Sequence, residues 1–453
     1  MYGKKNPLND SFVDSKALQL LEENKINKKY FEKYDVKRGL RNTDGTGVLA
    51  GITHICNVHG YYFQDNEKIP TEGKYTYRGI DVKKLIDGFT SEDRFGYEET
   101  AYLLLFGHLP SASDLEQFND ILADYRNMPL RFTEDMILSA PSNNVMNKLE
   151  RSILALYSYD PDPEPNGITK ELQQALQLIA RCPVIVAHAY AAKRHYFDRT
   201  SLYLHIPQPE LSLAENFLYS IRPDNQFTKE EARILDLCMV LHAEHGGGNN
   251  SAFTCRVISS ANTDIYSATA AAVGSLKGNR HGGANLKVNE MYNCIKANVH
   301  DWNDDDEIRA FLVKLLNKEE GDKSGLIYGM GHAIYTLSDP RAVILKEVAK
   351  KLAVKNGLED EYHLFEAVEK ITPQLFAERG REKPICANVD MYSGFVYRML
   401  GIPQELFTPL FAISRMAGWC AHRIEEVYNP NKIIRPAYKA INQKHNFVPL
   451  AER

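Results

Sequence analysis

Hydrophobic positions recur at helical spacing along most of this chain. Apolar residues follow one another at intervals of three and four in "NNVMNKLERSILALYS", "TKELQQALQLIARCPVIVAHAYAAKRH" and "TKEEARILDLCMVLHAEH", a period that predicts α-helices with one buried face. The stretch "SATAAAVGSL" is almost entirely small or apolar, which predicts a helix that is buried on every side or packed closely against another helix. The pattern therefore predicts a mainly helical protein.

Start and stop signals bound several of these helices. The segment "YEETAYLLLFGHLP" has acids in its first turn and ends at Gly107, and "SASDLEQFNDILADYRNM" begins with a serine cap. In "SDPRA", Asp339 is placed as a cap and Pro340 as the first helical residue. Three glycines end the helix of "LHAEHGGGNN", so His245 is expected in its last turn.

Two N-terminal stretches differ from this pattern. Residues 13–36 are charged and helix-prone, whereas residues 47–80 are rich in β-branched residues, tyrosine and glycine. The second stretch is the only convincing strand material, and it predicts a short hairpin or two.

Composition changes again after about Glu290. Residues 296–325 and 339–378 predict charged, amphipathic helices, and the chain turns apolar once more from Phe395. We therefore expect a large helical domain formed by residues 1–289 and 395–453, with a smaller helical domain, residues 290–394, inserted into it. A cleft between two such domains is a natural ligand site.

Composition and charge narrow the function classes. The chain has 453 residues, 44% hydrophobic and 25% charged, with a net charge of -5. These globular values give no reason to expect nucleic acid or a membrane surface as a partner. We find no uninterrupted apolar run of membrane-spanning length and no secretory signal in "MYGKKNPLND". Seven scattered cysteines without a Cys-x-x-Cys pair favour a reducing, cytoplasmic location.

One histidine cluster allows two interpretations. His242, Glu244 and His245 offer groups that ligate zinc, but the usual zinc spacings and a third ligand cluster are absent. The alternative is a glycine-capped helix end with an imidazole near the negative end of the helix dipole. We favour the second interpretation and predict no metal.

Two further histidines lie beside glycines. In "NRHGGAN", His281 lies where an apolar helix ends and is followed by two glycines. The backbone without side chains next to the imidazole allows a ligand to approach. The alternative is that His281 only caps the helix. In "YGMGHAIY", Gly329 and Gly331 are expected to expose backbone N–H groups just before His332, which suits an anionic or amide-bearing ligand.

Three charged residues complete the candidate chemistry. Asp390 lies in an apolar setting, which predicts a base with a raised pKa, a paired carboxylate or a helix cap. Arg341, in the first turn of a helix, needs an anionic partner, which an ordinary surface ion pair would also supply. Arg415 lies inside an apolar helix and needs an acid from the protein or from a ligand. Arginines, imidazoles and one carboxylate suit a small dianionic acid and the removal of a proton next to a carbonyl.

The order and spacing of six motifs are specific. "HAEHGGGNNSA", "NRHGGAN", "GMGHAIYTLSDPR", "NVDMYSG", "SRMAGWCAH" and "KIIRP" resemble the successive motifs of the si-type citrate synthase family. The resemblance runs from about residue 75 to about residue 440. It implies an all-α homodimer in which a large and a small domain close over the substrates. The implied reaction joins acetyl-CoA to oxaloacetate and hydrolyses the thioester to citrate and CoA in the tricarboxylic acid cycle, with acetyl-CoA as a substrate and no cofactor.

The resemblance also implies roles for individual residues. Asp390 is the implied base, His281 the group that binds the thioester oxygen, and His332 the group that polarises the oxaloacetate carbonyl. The implied oxaloacetate contacts are His245, Asn249, Arg341, Arg415 and Arg435, the last reaching the neighbouring subunit's site. The implied CoA-binding residues are Gly329, Gly331, Arg381, Lys383 and Asn388.

One departure and two alternatives stay open. Thr336 stands where many family members carry a basic residue for the CoA phosphates. We expect either that Arg381 or Lys383 replaces that contact or that the affinity for CoA is lower. The same residues would serve a 2-methylcitrate synthase that uses propionyl-CoA, since one methylene changes binding by only about 1–3 kcal/mol. A catalytically inert relative that binds partners is the alternative from another class, and the complete residue set argues against it.

Overall fold

The chain divides into two compact units, Met1–Gly51 and Ile52–Arg453. The computed structural model describes residues 16–17, 19–65, 67–164, 167–381, 383–429, 432–442 and 444–452. In the first unit, residues 19–23 are helical, and helix α1 (Lys29–Lys33) and a 3-10 turn (Arg38–Leu40) follow. The prediction of helix within residues 13–36 is confirmed in these parts. It cannot be compared at residues 13–15 and 18, which lie outside the described residues. The segment considered as a secretory signal also lies outside them.

The second unit begins with the predicted hairpin. Strand β1 (Cys56–Gln64) pairs antiparallel with β2 (Glu67–Tyr77), from Cys56 opposite Tyr77 to Gln64 opposite Glu67. The register shifts between His59 and Tyr61, and β3 (Ile80–Asp81) adds a short third strand to β2.

Helices make up most of the rest of the described chain. The prediction of a mostly helical fold with a small N-terminal β region is confirmed. The helices are α2 (Val82–Ser91), α3 (Tyr97–Phe106), α4 (Ala112–Tyr125), α5 (Val145–Leu156), α6 (Ile168–Tyr196), α7 (Leu213–Ile221), α8 (Lys229–His242), α9 (Asn250–Ser259), α10 (Ile265–Lys277), α11 (Ala284–Asn298), α12 (Asp305–Leu316), α13 (Pro340–Asn356), α14 (Glu359–Glu378), α15 (Val389–Met399) and α16 (Phe407–Tyr428).

Local chemistry sets several helix ends as predicted. Ser111 and Asp114 form a reciprocal capping box at the start of α4. Gly107 ends α3 with a left-handed φ of 86°. Asp339 caps α13 by accepting the Arg341 N–H, and Pro340 occupies the first turn.

Two long helices run through the core. Helix α16 is buried from Phe407 to Arg423 and packs against α6, α9 and α10. By length and composition, α6 is the one helix in the described part of the chain that could cross a membrane. However, 78% of its apolar window is buried inside the protein, so α6 serves as a core helix here.

Candidate active site

The segment after α8 carries His245 and is not helical. Helix α8 ends at His242, because the hydroxyl of Tyr77 from β2 lies at this helix end. It lies 2.9 Å from the Val240 carbonyl, to which it donates, and accepts the Glu244 N–H at 3.2 Å. The prediction that His245 occupies the last helical turn is therefore wrong.

His245 is buried among polar aromatic groups. Its Nε2 lies 3.2 Å from the Tyr335 hydroxyl, and its ring meets the His332 ring edge-on at 5.2 Å between centroids. Burial lowers the pKa of His245 well below its ordinary value, and the charge of Arg341 lowers it further. His245 is therefore a neutral imidazole at physiological pH.

A pair of short backbone segments places His332 close to the start of α15. The Gly331 N–H donates to the Cys386 carbonyl at 2.8 Å, and the Asn388 N–H donates to the Gly329 carbonyl at 2.8 Å. Gly329 and Gly331 adopt φ values of 84° and 97°, which other residues rarely tolerate. The prediction that Gly331 exposes its N–H to a ligand is wrong, because this group is bonded to Cys386.

His332 is held in one tautomer. Its Nδ1 accepts the backbone N–H groups of Ile334 and Tyr335, both at 3.2 Å. A neutral imidazole that accepts at Nδ1 carries its proton on Nε2. The Tyr335 ring stacks on this imidazole at 4.7 Å, so His332 presents an oriented Nε2–H donor.

Asp390 lies in the first turn of α15. Asn388, rather than Asp390, caps the helix: its side-chain oxygen accepts the Asp390 N–H at 3.0 Å. Asp390 Oδ1 is buried without a hydrogen-bond partner among the described residues. Burial raises the pKa of this carboxyl to about 7, with Arg341 opposing the rise and Asp339 adding to it. Such a carboxylate can both take and release a proton near neutral pH.

His281 follows α10 in the glycine turn, as predicted. Its Nε2 lies 3.1 Å from Ser251 Oγ, which also accepts the indole N–H of Trp419 at 3.2 Å. The Ser251 hydroxyl is 2.9 Å from Asn249 Oδ1, so its single proton has two possible acceptors. Burial, with a contribution from Arg415, lowers the pKa of His281 to about 4, which leaves the imidazole neutral.

Arg341 has a buried partner within its own helix end. Its Nε and Nη2 donate to the two carboxylate oxygens of Asp339 at 3.0 and 2.7 Å, and both side chains are almost fully buried. The anionic partner predicted for Arg341 is therefore Asp339, and the surface interpretation of this pair is excluded.

Arg415 is a fully buried guanidinium with unused donors. Its Nε donates to the His242 carbonyl at 2.5 Å, and its Cζ lies 4.8 Å from the centroid of the Phe411 ring. Its two Nη atoms have no hydrogen-bond partner within the described parts of the chain. Burial lowers the pKa of Arg415, but a guanidinium stays charged at physiological pH. These donors are placed for an anionic ligand.

The charge of Arg415 links the separate groups. It contributes to the pKa values of His245, His281 and Asp390, so it lies within electrostatic reach of all three. The charge of Arg415 thus acts on three groups that lie far apart in sequence, and His332 contacts one of them, His245.

Known proteins share this arrangement of segments. The family model described as citrate synthase, C-terminal domain, matches residues 41–437. The chain belongs to the citrate synthase family. A citrate synthase from Synechocystis sp. is 35% identical over 413 residues, which cover 90% of this chain and 92% of that protein. A 2-methylcitrate synthase from Shewanella oneidensis is 31% identical over 383 residues, covering 83% and 92% of the two chains.

A solved structure extends the similarity to three dimensions. The citrate synthase of Thermoplasma acidophilum, in a ternary complex with carboxymethyl coenzyme A and oxaloacetate, has a TM-score of 0.75 and 25% identity with this chain. The match covers 92% of this chain and 99% of the other. The citrate synthase fold therefore extends over nearly the whole chain.

Some predicted site residues of this citrate synthase family member lie away from the buried group. Arg381 and Lys383 are exposed between α14 and α15, and Arg435 is exposed in the extended segment after α16. Asn249 caps α9 by accepting the Ser251 N–H at 3.2 Å.

Sequence reasoning missed several side chains of the site. Ser251 and Trp419 orient His281, and Tyr335 contacts both His245 and His332. Ser251 comes two residues after Asn249 in the glycine-rich motif, so the motif itself was a usable signal. Trp419 lies inside "SRMAGWCAH", where the helical pattern alone does not distinguish it from a core residue.

A buried charge chain supports the His245 segment. Glu244 accepts a hydrogen bond from His422 Nε2 at 2.9 Å, and Arg256 Nε donates to His422 Nδ1 at 3.1 Å. Burial opposes the ionisation of Glu244, but the interaction with His422, including its hydrogen bond, and the charge of Arg415 hold the pKa of Glu244 down to about 2. A Cβ on Gly418 of α16 would collide with Glu244, so glycine allows this close approach.

The same contacts bear on the zinc interpretation. Glu244 is committed to His422, and the His242 ring packs on Phe411 at 4.2 Å between centroids. Across the described ranges, no three His, Cys, Asp or Glu side chains are grouped to hold a metal ion. His242, Glu244 and His245 therefore do not form a metal site together.

An open cleft elsewhere is unsuited to anionic substrates. Its volume is about 870 Å³, and none of the predicted site residues line it. Two arginines in the lining face seven acids: Glu92, Glu98, Glu99, Glu116, Asp120, Glu210 and Glu215. A negative lining repels a dicarboxylate or a CoA phosphate.

Proposed function

We propose that this protein is a citrate synthase that condenses acetyl-CoA with oxaloacetate and hydrolyses the product to citrate and CoA. The observation that carries the proposal is the pair of buried Arg415 Nη atoms without a partner among the described residues, within electrostatic reach of the Asp390 carboxyl, whose pKa is raised. A buried cation needs an anionic partner, and a buried carboxylate with a pKa of about 7 is a competent base. A dicarboxylic keto acid and a thioester with an acidic α-proton satisfy both requirements.

The proposed first step is removal of a methyl proton from acetyl-CoA by Asp390. The resulting oxygen charge needs a hydrogen-bond donor at once, and one such donor contributes roughly 2.7–4 kcal/mol. His281 supplies this donor from Nδ1 if its Nε2 accepts a hydrogen bond from the Ser251 hydroxyl. The single proton of the neutral imidazole then lies on Nδ1. Because Trp419 donates to Ser251, the hydroxyl oxygen already has a donor partner and turns its own proton to an acceptor.

The proposed second step joins the enol carbon to oxaloacetate. The Nε2–H of His332 polarises the ketone, while His245, Asn249, Arg341 and Arg415 hold the substrate. Neutral imidazoles suit this site, since they donate hydrogen bonds without adding charge. Arginine suits the carboxylates because its planar donors match two oxygens at a time.

The CoA side of the site is assigned to the segment that leads into α15. We propose that Gly329, Gly331 and Asn388 shape the backbone there, and that exposed Arg381 and Lys383 meet the CoA phosphates. Thr336 gives no cationic contact, and its hydroxyl is buried. Closure of residues 290–394 over the large domain would exclude water during condensation.

A homodimer completes the proposal. Arg435 is exposed on a segment that extends beyond α16, which is a position from which it can reach a neighbouring subunit's oxaloacetate. We further propose a role in the tricarboxylic acid cycle and a cytoplasmic location; seven free cysteines suit a reducing compartment. The chemistry uses acetyl-CoA as a substrate and needs neither a cofactor nor a metal.

The alternative acyl donor is propionyl-CoA. A 2-methylcitrate synthase from Shewanella oneidensis is 31% identical, but the citrate synthase from Synechocystis sp. is 35% identical over more of the chain, so this alternative is not favoured. An assay of CoA thiol release with oxaloacetate and each acyl-CoA tests both. We expect a higher kcat/KM for acetyl-CoA; a higher value for propionyl-CoA would reassign the substrate.

The same assay tests whether the protein is an enzyme at all. Absence of thiol release with either donor, from protein that binds oxaloacetate, would favour an inert binding relative and refute the proposed function. Asp390→Asn serves as the inactive control, because the amide cannot take the methyl proton.

A further inference from the structure

We propose that His242, Ser393 and Tyr397, whose buried polar atoms have no partner among the described residues, bind the water molecule that hydrolyses the thioester. The inference rests on the proposed function and adds three residues to it. None of these side chains has a role in the condensation steps described above.

The proposal involves the three side chains above and Asp390, and three of these four polar side chains lie on one face of α15. Asp390, Ser393 and Tyr397 are spaced at i, i+3 and i+7, which places them along a single helical stripe. Helical side chains lean toward the N-terminus, so the long tyrosine side chain extends back toward the turn that carries Asp390. Burial raises the pKa of Tyr397, and the side chains of Cys238 and then Asp390 add smaller contributions to the rise.

His242 approaches this stripe from the end of α8. Its ring centroid lies 6.4 Å from that of Tyr397 and 4.2 Å from that of Phe411. Tyr397 in turn packs on Phe407, 5.4 Å away. The phenylalanine rings of α16 therefore form apolar walls on one side of the polar groups.

The polar atoms in this region lack partners. Asp390 Oδ1, Ser393 Oγ, the Tyr397 hydroxyl and both ring nitrogens of His242 make no hydrogen bond within the ranges that the structure describes. Ser393, Tyr397 and His242 are fully buried. Buried polar groups in proteins are almost always hydrogen-bonded to protein or to ordered water. A water molecule held by two to four such groups satisfies them at once.

The charge of the lining favours water over an ion. Burial lowers the pKa of His242 well below its ordinary value and raises that of Tyr397 well above its own. Both side chains are therefore neutral at physiological pH, and Ser393 is neutral as well. Together they offer hydrogen-bond donors and acceptors, which is the combination that orients a water molecule.

The hydrolysis step then balances with groups already in place. The methyl proton taken by Asp390 ends on the alkoxide formed from the ketone, so Asp390 is ionised when hydrolysis begins. The water oxygen bonds to the thioester carbon, and one water proton passes to Asp390. The carbon–sulfur bond breaks, the sulfur takes the proton from Asp390, and a carboxylic acid and the CoA thiol result.

The test is a partition experiment with synthetic citryl-CoA. The enzyme can hydrolyse this intermediate to citrate and CoA or cleave it back to acetyl-CoA and oxaloacetate, and both products are quantified by chromatography. We expect Tyr397→Phe to lower the ratio of hydrolysis to cleavage about tenfold, the effect of weakening one oriented contact. Oxaloacetate affinity should stay within about twofold of the wild-type value.

A matched variant controls for the loss of a buried hydroxyl. Tyr266 lies on α10, and its hydroxyl donates a hydrogen bond to Asp160 at 2.7 Å. Tyr266→Phe removes this hydroxyl and should leave the ratio of hydrolysis to cleavage unchanged. If Tyr397→Phe does not fold, Ser393→Ala should lower the ratio in the same direction. An unchanged ratio in a folded, active variant overturns the inference and leaves the proposed function standing. Wild-type protein without any thiol release refutes the proposed function itself.

Discussion

At the residue scale, Asp390 meets opposing demands from folding and from chemistry. Its backbone N–H is bonded to the Asn388 cap, while Oδ1 is buried without a partner among the described residues. Burial favours the neutral acid, and the pKa rises from an ordinary value near 3.8 to about 7. The unfolded chain has no such bias, so ionisation of Asp390 destabilises the folded state.

The first prediction follows from the sign of this shift. Below pH 3.8 Asp390 is neutral in both states, and above about pH 7 it is charged in both but penalised only when folded. Asp390→Asn should therefore stabilise the protein, and the gain should grow between these two pH values. We expect the gain at pH 8 to exceed that at pH 5 by up to about 3 kcal/mol, because about two pH units separate pH 5 from the folded-state pKa of about 7. Denaturant unfolding at both pH values measures it.

The same variant should lose nearly all turnover while binding oxaloacetate, as calorimetry would show. Stabilisation of equal size at pH 5 and pH 8 would contradict the raised pKa. Turnover close to the wild-type value would contradict the role of Asp390 as base.

At the element scale, Asn388 couples two parts of the site. Its side-chain oxygen caps α15, and its Nδ2 donates to the Gly331 carbonyl at 2.9 Å. One side chain therefore fixes both the helix that carries Asp390 and the loop that carries His332. Their relative position depends on this pair of hydrogen bonds.

The next prediction concerns the removal of that coupling. Asn388→Ala should cost about 0.5–2 kcal/mol of stability, the usual loss for a helix cap. It should also lower kcat at least about tenfold, because a small misplacement of reacting groups is costly. Steady-state kinetics and thermal unfolding measure the two effects.

Asn144→Ala is the matched control. Asn144 caps α5 by accepting the Asn147 N–H at 2.8 Å, and neither residue belongs to the candidate site. This variant should lose similar stability and keep its kcat. Equal kcat losses in the two variants would show that the effect of Asn388 is only on stability.

Elements with local signals were predictable from the sequence. The serine cap of α4, the Asp339–Pro340 start of α13 and the glycine end of α3 each depend on residues within one turn. The charged helices between residues 296 and 378 followed from their period. The six motifs also identified the family, and with it the residues that gather around Arg415.

Features that depend on distant contacts were not predictable. His245 leaves α8 because a hydroxyl from β2, more than 160 residues away in sequence, occupies the helix end. Gly331 seemed available to a ligand, but its N–H pairs with Cys386 from another segment. Periodicity also could not show that Trp419 donates to Ser251, since a buried indole gives the same pattern with or without that bond.

At the scale of the whole molecule, the proposed site needs two chains. Arg435 is exposed after α16 and is assigned to the neighbouring subunit's oxaloacetate. A hybrid dimer of Asp390→Asn and Arg435→Leu chains would then contain one complete site. In a symmetric dimer, the second site of the hybrid would carry both defects.

The prediction is partial recovery of activity on mixing. Random exchange makes half of the dimers hybrid, so activity should return to about one quarter of the wild-type value. Each variant alone should be nearly inactive. Light scattering confirms dimers, and mass spectrometry of differently tagged chains confirms exchange. Hybrids that form without gaining activity would contradict a shared site.

Helix α16 contributes both to the hydrophobic core and to the candidate active site. It is buried continuously from Phe407 to Arg423, and the same stretch carries Arg415 and Trp419. Few substitutions along it can change ligand chemistry without disturbing the packing of several neighbouring helices. Divergence of acyl preference within such a scaffold is therefore expected to accumulate in the surrounding loops, where a change of side chain leaves the central helix intact.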